Sequence, residues 1–282
     1  MSQEYPLAST ASERRRLKMQ SDALIPLTER MLSAAGITAG SRVLELGCGS
    51  GEVTRLIASR IGPAGSVTGI DRDPGQLAAA SGQLRKHGLN NAYFVASDID
   101  NFDPQDSFDA VIARYLLIYV PNPEALLHKA ARWLRPGGTM AFIEMDLFRG
   151  VGSRIWPPPS DRTASAIKFI GDVMLDAGIH PDMGARLPSM LSHYGQVHSE
   201  VAAPPQFGAA SIELPLEAVR SVQPMARKLG RADTDEYDVD RLLADEMPGR
   251  DDHTVTIPPV SIACWVQVSS ATTPNRPCAS VI

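Results

Sequence analysis

The chain is poor in cysteine. Only Cys48, Cys264 and Cys278 occur among 282 residues, and no pair has the two-residue spacing of a metal or redox motif. An odd, scattered set argues against a disulfide framework and a structural zinc site, and it fits a reducing compartment. A basic excess is also lacking, with 27 Lys and Arg against 32 Asp and Glu and a net charge of −5. Nucleic-acid binders usually carry a basic patch that displaces counterions from phosphates. The one basic cluster, Arg14-Arg15-Arg16, reads as a solvated helix face. No run approaches the roughly 18 apolar residues that a membrane span needs. The opening MSQEYPLAST is polar, without an apolar leader segment. The expectation is a cytoplasmic protein with neither nucleic acid nor membrane as partner.

What is present is an ordinary folding composition, 44% hydrophobic and 21% charged, enough for one large domain or one domain with an insertion. From Ser41 to Met145, short apolar runs alternate with segments of helical period, the pattern of βα units on a parallel sheet. The runs are Val43–Leu46, Val67–Ile70, Tyr93–Ala96, Ala110–Ala113 and Met140–Met145, read as strands covered on both faces. Between them, Val53, Leu56, Ile57 and Ile61 share a helical face, as do Leu77, Ala80 and Leu84. Leu126, Ala130, Trp133 and Leu134 do the same after Pro123, a residue suited to a first helical turn. Gly62-Pro63-Ala64-Gly65 and Arg135-Pro136-Gly137-Gly138 mark turns.

Residues 8 to 35 are expected to be helical with a break or kink at Pro26. Residues 151 to 160, with Trp156 and three prolines, are expected to be a loop. Then follow a helix at 161–178, a strand near Gln196–Ala202, helices at 213–229 and 237–246, and a closing strand Val260–Val268. The organisation expected is a helical cap at 1–40, an α/β core at 41–146, substrate-binding helices with the last two strands at 147–268, and a disordered tail at 269–282.

The informative segment is Val43-Leu44-Glu45-Leu46-Gly47-Cys48-Gly49-Ser50-Gly51, between a strand and a helix. Its glycines let the backbone turn sharply and approach a ligand, and the helix start offers free N–H groups and a positive dipole end. Asp71 lies twenty positions past Gly51 at the end of the second strand, where a carboxylate can accept hydrogen bonds from ribose hydroxyls. A dinucleotide loop would need glycine at 52, where Glu52 stands, and the Walker Gly-Lys-Ser/Thr is absent.

The pattern E-x-G-x-G-x-G resembles the first motif of class I S-adenosylmethionine-dependent methyltransferases. Four further segments resemble that family in order and spacing: Asp71, Phe94-Val95-Ala96-Ser97-Asp98-Ile99, Phe108-Asp109-Ala110-Val111-Ile112-Ala113-Arg114, and Leu134-Arg135-Pro136-Gly137-Gly138. More loosely, Tyr5-Pro6-Leu7 with Glu13, Arg16, Leu17 and Gln20, and Ile257-Pro258-Pro259-Val260, are similar to a bacterial small-molecule group of that family. The resemblance implies a Rossmann-like, doubly wound, mostly parallel seven-stranded sheet with an α-helical cap. It implies S-adenosyl-L-methionine as cofactor; no acidic or histidine cluster with ligand spacing appears, so no metal is expected. Gly47, Cys48, Gly49 and Gly51 would line its methionine portion with Glu45 near the ammonium, Asp71 would bind the ribose, and Arg72, Asp98 and Ile99 would surround the adenine. Arg114 would face the cofactor carboxylate or the substrate, and Tyr5 would close over the cofactor.

A catalytic base is needed only if the acceptor enters protonated. His180, His193 and His198 titrate in the right range, although a lone histidine is more often a surface or packing residue. Tyr115, Tyr119 and Glu144 lie near strand ends, again with a structural alternative, and Met183, Met190 and Met225 read as helix packing before pocket lining. The Pro-Pro-Tyr type motif of base-modifying methyltransferases is missing after the fourth strand, which points to a small-molecule acceptor in secondary metabolism. A non-methylating enzyme of the same fold and a cofactor-sensing module are the rivals. A homodimer is compatible with this reading, though no residue indicates one.

Overall fold

A computed structural model describes residues 11–147, 154–231 and 236–269, with side chains from residue 19 onward. Tyr5 and the tail beyond 269 lie outside the described residues. The chain divides into two compact units, one of Met1–Pro26, Met145–Gly184 and Val201–Ser261, the other of Leu27–Glu144, Ala185–Glu200 and Ile262–Ile282.

The second unit is built on a seven-stranded sheet. Its strands are β1 (Arg42–Leu46), β2 (Ser66–Asp71), β3 (Ala92–Ala96), β4 (Phe108–Arg114), β5 (Leu134–Asp146), β7 (Val197–Ala202) and β10 (Val260–Gln267), in the order β3-β2-β1-β4-β5-β10-β7. The neighbours β3-β2, β2-β1, β1-β4 and β4-β5 are parallel. β10 runs against β5, since Val268 N donates to Gly138 O (2.9 Å), which puts the end of β10 beside the beginning of β5. Val43, Leu44, Leu46, Val67, Val111 and Ile112 are fully buried, the behaviour of central parallel strands covered on both faces.

The connecting helices obey local rules. α2 (Glu52–Ile61) buries Val53, Thr54, Ile57, Ala58 and Ile61 along one stripe. α3 (Pro74–Lys86) starts at Asp73, whose carboxylate accepts from Gly75 N (2.7 Å) and Gln76 N (3.4 Å) ahead of Pro74. α4 (Pro123–Arg132) starts in the same way at Asn122.

Three sequence expectations change here. α1 (Ala11–Ala34) runs through Pro26 without a break, and beyond the proline Leu27, Met31 and Leu32 are buried, so packing holds the helix where propensity would end it. Leu134 is the first residue of β5 and pairs with Phe108; the next pair is Thr139 with Ala110, so Arg135–Gly138 bulge from the ladder. β3 is not covered on both faces. It is the sheet edge, no helix lies between it and β4, and Tyr93 (60%) and Val95 (37%) are exposed.

In the first unit, α5 (Asp161–Asp176) packs on α7 (Glu213–Lys228), which in turn contacts α8 (Val239–Glu246). Ser160 caps α5 by accepting from Thr163 N (3.3 Å). Residues 151–160 are not all loop: Arg154–Trp156 form β6, which joins β9 (Val255–Ile257) and β8 (Gln206–Phe207) in an antiparallel sheet of order β6-β9-β8. Register places Trp156, Val255 and Phe207 side by side on one face, with Trp156 67% and Phe207 71% exposed. The opposite face, Ile155 and Thr256, is buried. Glu246 and Arg250 form an ion pair (2.6 Å) with side chains only 6% and 4% exposed; Glu246 also accepts from Ser160 N (2.8 Å), and Arg250 donates to the carbonyl of Pro157. α6 (Met183–Leu191), whose bounds the sequence did not mark, belongs in part to each unit; Met183 and Met190 are buried on it, as is Met225 on α7. Among the described residues, no helix is long and apolar enough to cross a membrane.

Candidate active site

Parallel strands in an open sheet direct their carboxyl ends to one edge, where crossovers leave a crevice. At that edge the loop after β1 turns through Gly47, Gly49 and Gly51 into α2. Gly49 has φ +51°, and a Cβ there would meet nothing within 4 Å, so the loop presents bare backbone to open space. Gly51 precedes α2 in a left-handed conformation and offers no side-chain cap, leaving the first-turn amides of α2 without a competing side-chain acceptor from the cap residue.

Asp71, at the end of β2, grips this loop: Oδ2 accepts from Gly49 N (2.9 Å) and Oδ1 from Asp73 N (3.0 Å). Each oxygen keeps a second lone pair for a further donor. β3 joins the same edge, with Ser97 N donating to Asp71 O (3.0 Å). Arg72 and Asp98 are exposed and Ile99 half-buried beside it, and Asp98 Oδ1 accepts from Asp100 N (2.9 Å).

Glu45 lies beneath the loop on β1, buried, accepting from Thr54 Oγ1 at 2.5 Å. Burial pushes its carboxyl up to about 8, against the opposing pull of the Thr54 hydroxyl and the Arg114 guanidinium. Glu45 pairs with Ile112, two residues before Arg114, so both charges project from one face of the sheet. Arg114 Nη1 donates to Thr28 Oγ1 on α1 (3.3 Å). Thr28 and Thr54, fully buried partners of these charges, carried no sequence signal beyond lying on predicted helices.

Gly47, Gly49, Gly51, Asp71, Arg72, Asp98, Ile99, Glu45 and Arg114 thus gather at one edge. The Cys48 side chain instead turns into the core against Gly69, where burial pushes its thiol up. Tyr119 is half-buried in a short 3-10 turn, Leu117–Tyr119, after β4. His193 is exposed at the opposite edge, since the neighbouring Tyr194 O accepts from Ser269 N just beyond the end of β10. His198 stacks on Trp265 between β7 and β10. His180 belongs to the first unit, in the turn whose Pro181 carbonyl accepts from Leu147 N (2.7 Å). Among the described residues, no group of three or more His, Cys, Asp or Glu is placed to hold a metal ion.

The glycine loop, the strand-end acid and the 3-2-1-4-5 strand order fall inside residues 37–165, which match a family described as a methyltransferase domain. Residues 37–165 are thus similar to a methyltransferase domain. Methyltransferases also dominate the relatives: the chain is 32% identical over 134 residues to aklanonic acid methyltransferase of Streptomyces sp. strain C5, covering 47% of this chain and 60% of that one. It is 31% identical over 142 residues to trans-aconitate 2-methyltransferase of Methylobacterium nodulans, covering 48% and 53%. The match therefore spans little more than half the length of these relatives. Coclaurine N-methyltransferase in complex with N-methylheliamine and S-adenosylhomocysteine shares the fold at TM-score 0.54 and 18% identity, over 86% of this chain and 72% of that one. The 4+2 cyclase SpnF does so at TM-score 0.52 and 19% identity, over 87% and 81%.

Proposed function

We propose that the chain transfers the methyl group of S-adenosylmethionine to a small, partly apolar acceptor, a secondary metabolite. The observation that carries this reading is the bare backbone at Gly49 held by Asp71 directly above the buried Glu45. In this reading Gly47, Gly49 and Gly51 line the methionine portion, Glu45 and Arg114 serve its ammonium and carboxylate, and Asp71 accepts from the ribose. Arg72, Asp98 and Ile99 border the adenine. When bound, the sulfonium supplies an electrophilic methyl carbon, which bonds to the acceptor atom as its bond to sulfur breaks, releasing S-adenosylhomocysteine. The residues of this chain contribute binding and alignment, worth roughly 7–11 kcal/mol of barrier when donor and acceptor are held at near-attack distance.

Relatives that act on aklanonic acid and on trans-aconitate support a small-molecule acceptor. An acceptor screen with methyl-labelled cofactor tests the proposal: label must appear in product together with S-adenosylhomocysteine. Turnover of an acceptor without S-adenosylhomocysteine would favour a cyclisation or rearrangement instead. Asp71→Ala is expected to weaken S-adenosylmethionine binding at least about tenfold, since it removes an anchor of the loop and a charged acceptor together; unchanged affinity in titration calorimetry would sink the site assignment.

A further inference from the structure

Glu144 lies near the end of β5 and holds none of the cofactor roles proposed above, yet its carboxyl is more fully engaged than any of theirs. It is wholly buried. Oε1 accepts from Leu116 N (2.9 Å) and Leu117 N (2.7 Å), and Oε2 from Ile118 N (3.4 Å). Three consecutive amides converge because the chain leaves β4 through Tyr115 with φ +57°, a left-handed conformation rare for a bulky residue, followed by Leu116 in the right-handed region. That alternation turns successive N–H groups to one side and forms a concavity suited to an anion. The acceptor here is the Glu144 carboxyl, a side chain of the adjacent strand.

The same turn touches the glycine loop. Leu116 Cδ1 lies 2.9 Å from the point a Cβ on Gly47 would occupy, and Cδ2 and Cγ follow at 3.7 Å. Glu144, the turn, Leu116 and Gly47 are therefore linked in series. We propose that Glu144 is a positioning residue for the cofactor loop: its carboxyl fixes the turn at 115–119, and through Leu116 the turn sets the backbone of Gly47. The inference rests on reading 47–51 as the cofactor loop.

A series arrangement has a signature that a purely structural role lacks. Glu144→Gln keeps volume but turns an N–H group toward an amide of the cradle, and Leu116→Ala removes the contact while leaving the cradle intact. Each is expected to weaken S-adenosylmethionine binding about tenfold, and the double variant no further than either single one, because both break the same chain of contacts. Calorimetric titration with S-adenosylmethionine on the four full-length proteins, alongside thermal melting, reads this out. Wild-type affinity in Leu116→Ala, or losses that multiply in the double variant, would overturn the proposal. If Glu144→Gln fails to fold, Leu116→Ala alone decides, since its backbone bonds to Glu144 are retained. Absence of S-adenosylmethionine binding by the wild type would overturn the cofactor reading itself, an outcome distinct from either result above.

Discussion

Glu45 near the end of β1 and Glu144 near the end of β5 are both buried, and burial pushes both carboxyls up to about 8 from the ordinary 4.5. Between these values the folded protein holds protons that the unfolded chain releases, so without cofactor stability falls as pH rises from about 5 to 8, by up to about 1.4 kcal/mol per pH unit for each group. Urea midpoints across that range are expected to decline for the wild type and to decline less for Glu45→Gln; an equal slope in both would show that Glu45 does not titrate there. Glu246 behaves oppositely. Its bonds to Arg250 and to Ser160 outweigh the cost of burial and hold it down at about 2, so its contribution is present above 4.5 and is lost as pH falls toward 2. Glu246→Gln is expected to cost about 3–5 kcal/mol in chemical denaturation, because it strands the buried Arg250 charge. The motif residues were readable because glycine spacing and strand-end acids are one-dimensional patterns. Thr28, Thr54 and Leu116 were not, because each matters through a neighbour distant in sequence.

Among the elements, the parallel strands and their helices were legible from period and turn chemistry. β6, β8 and β9 were not, since two or three residues are too short to show alternation. α6 was hidden by Pro188 within it. These short strands nonetheless create the aromatic row of Trp156, Val255 and Phe207. Because Trp156 and Phe207 are exposed, Trp156→Ala and Phe207→Ala should shift stability by less than about 0.5 kcal/mol. Urea denaturation of each variant beside the wild type checks this; a larger loss would show that the rings pack against the fold.

For the molecule as a whole, the chain passes between its two units five times, after Pro26, Glu144, Gly184, Glu200 and Ser261, and each passage falls inside a helix or strand. Sequence patterns mark loops and linkers, so a division without linkers left no compositional trace. The strand order carries a consequence for synthesis. β10 inserts between β5 and β7, yet it follows both in the chain. Until Val260–Gln267 leave the ribosome, β7 has no partner in the sheet and β5 offers an open, apolar rim to any other nascent chain. A chain ending at Pro259 is therefore expected to sediment as aggregate where the full chain stays dispersed, and the closing strand acts as the stitch that protects the newborn sheet from its neighbours.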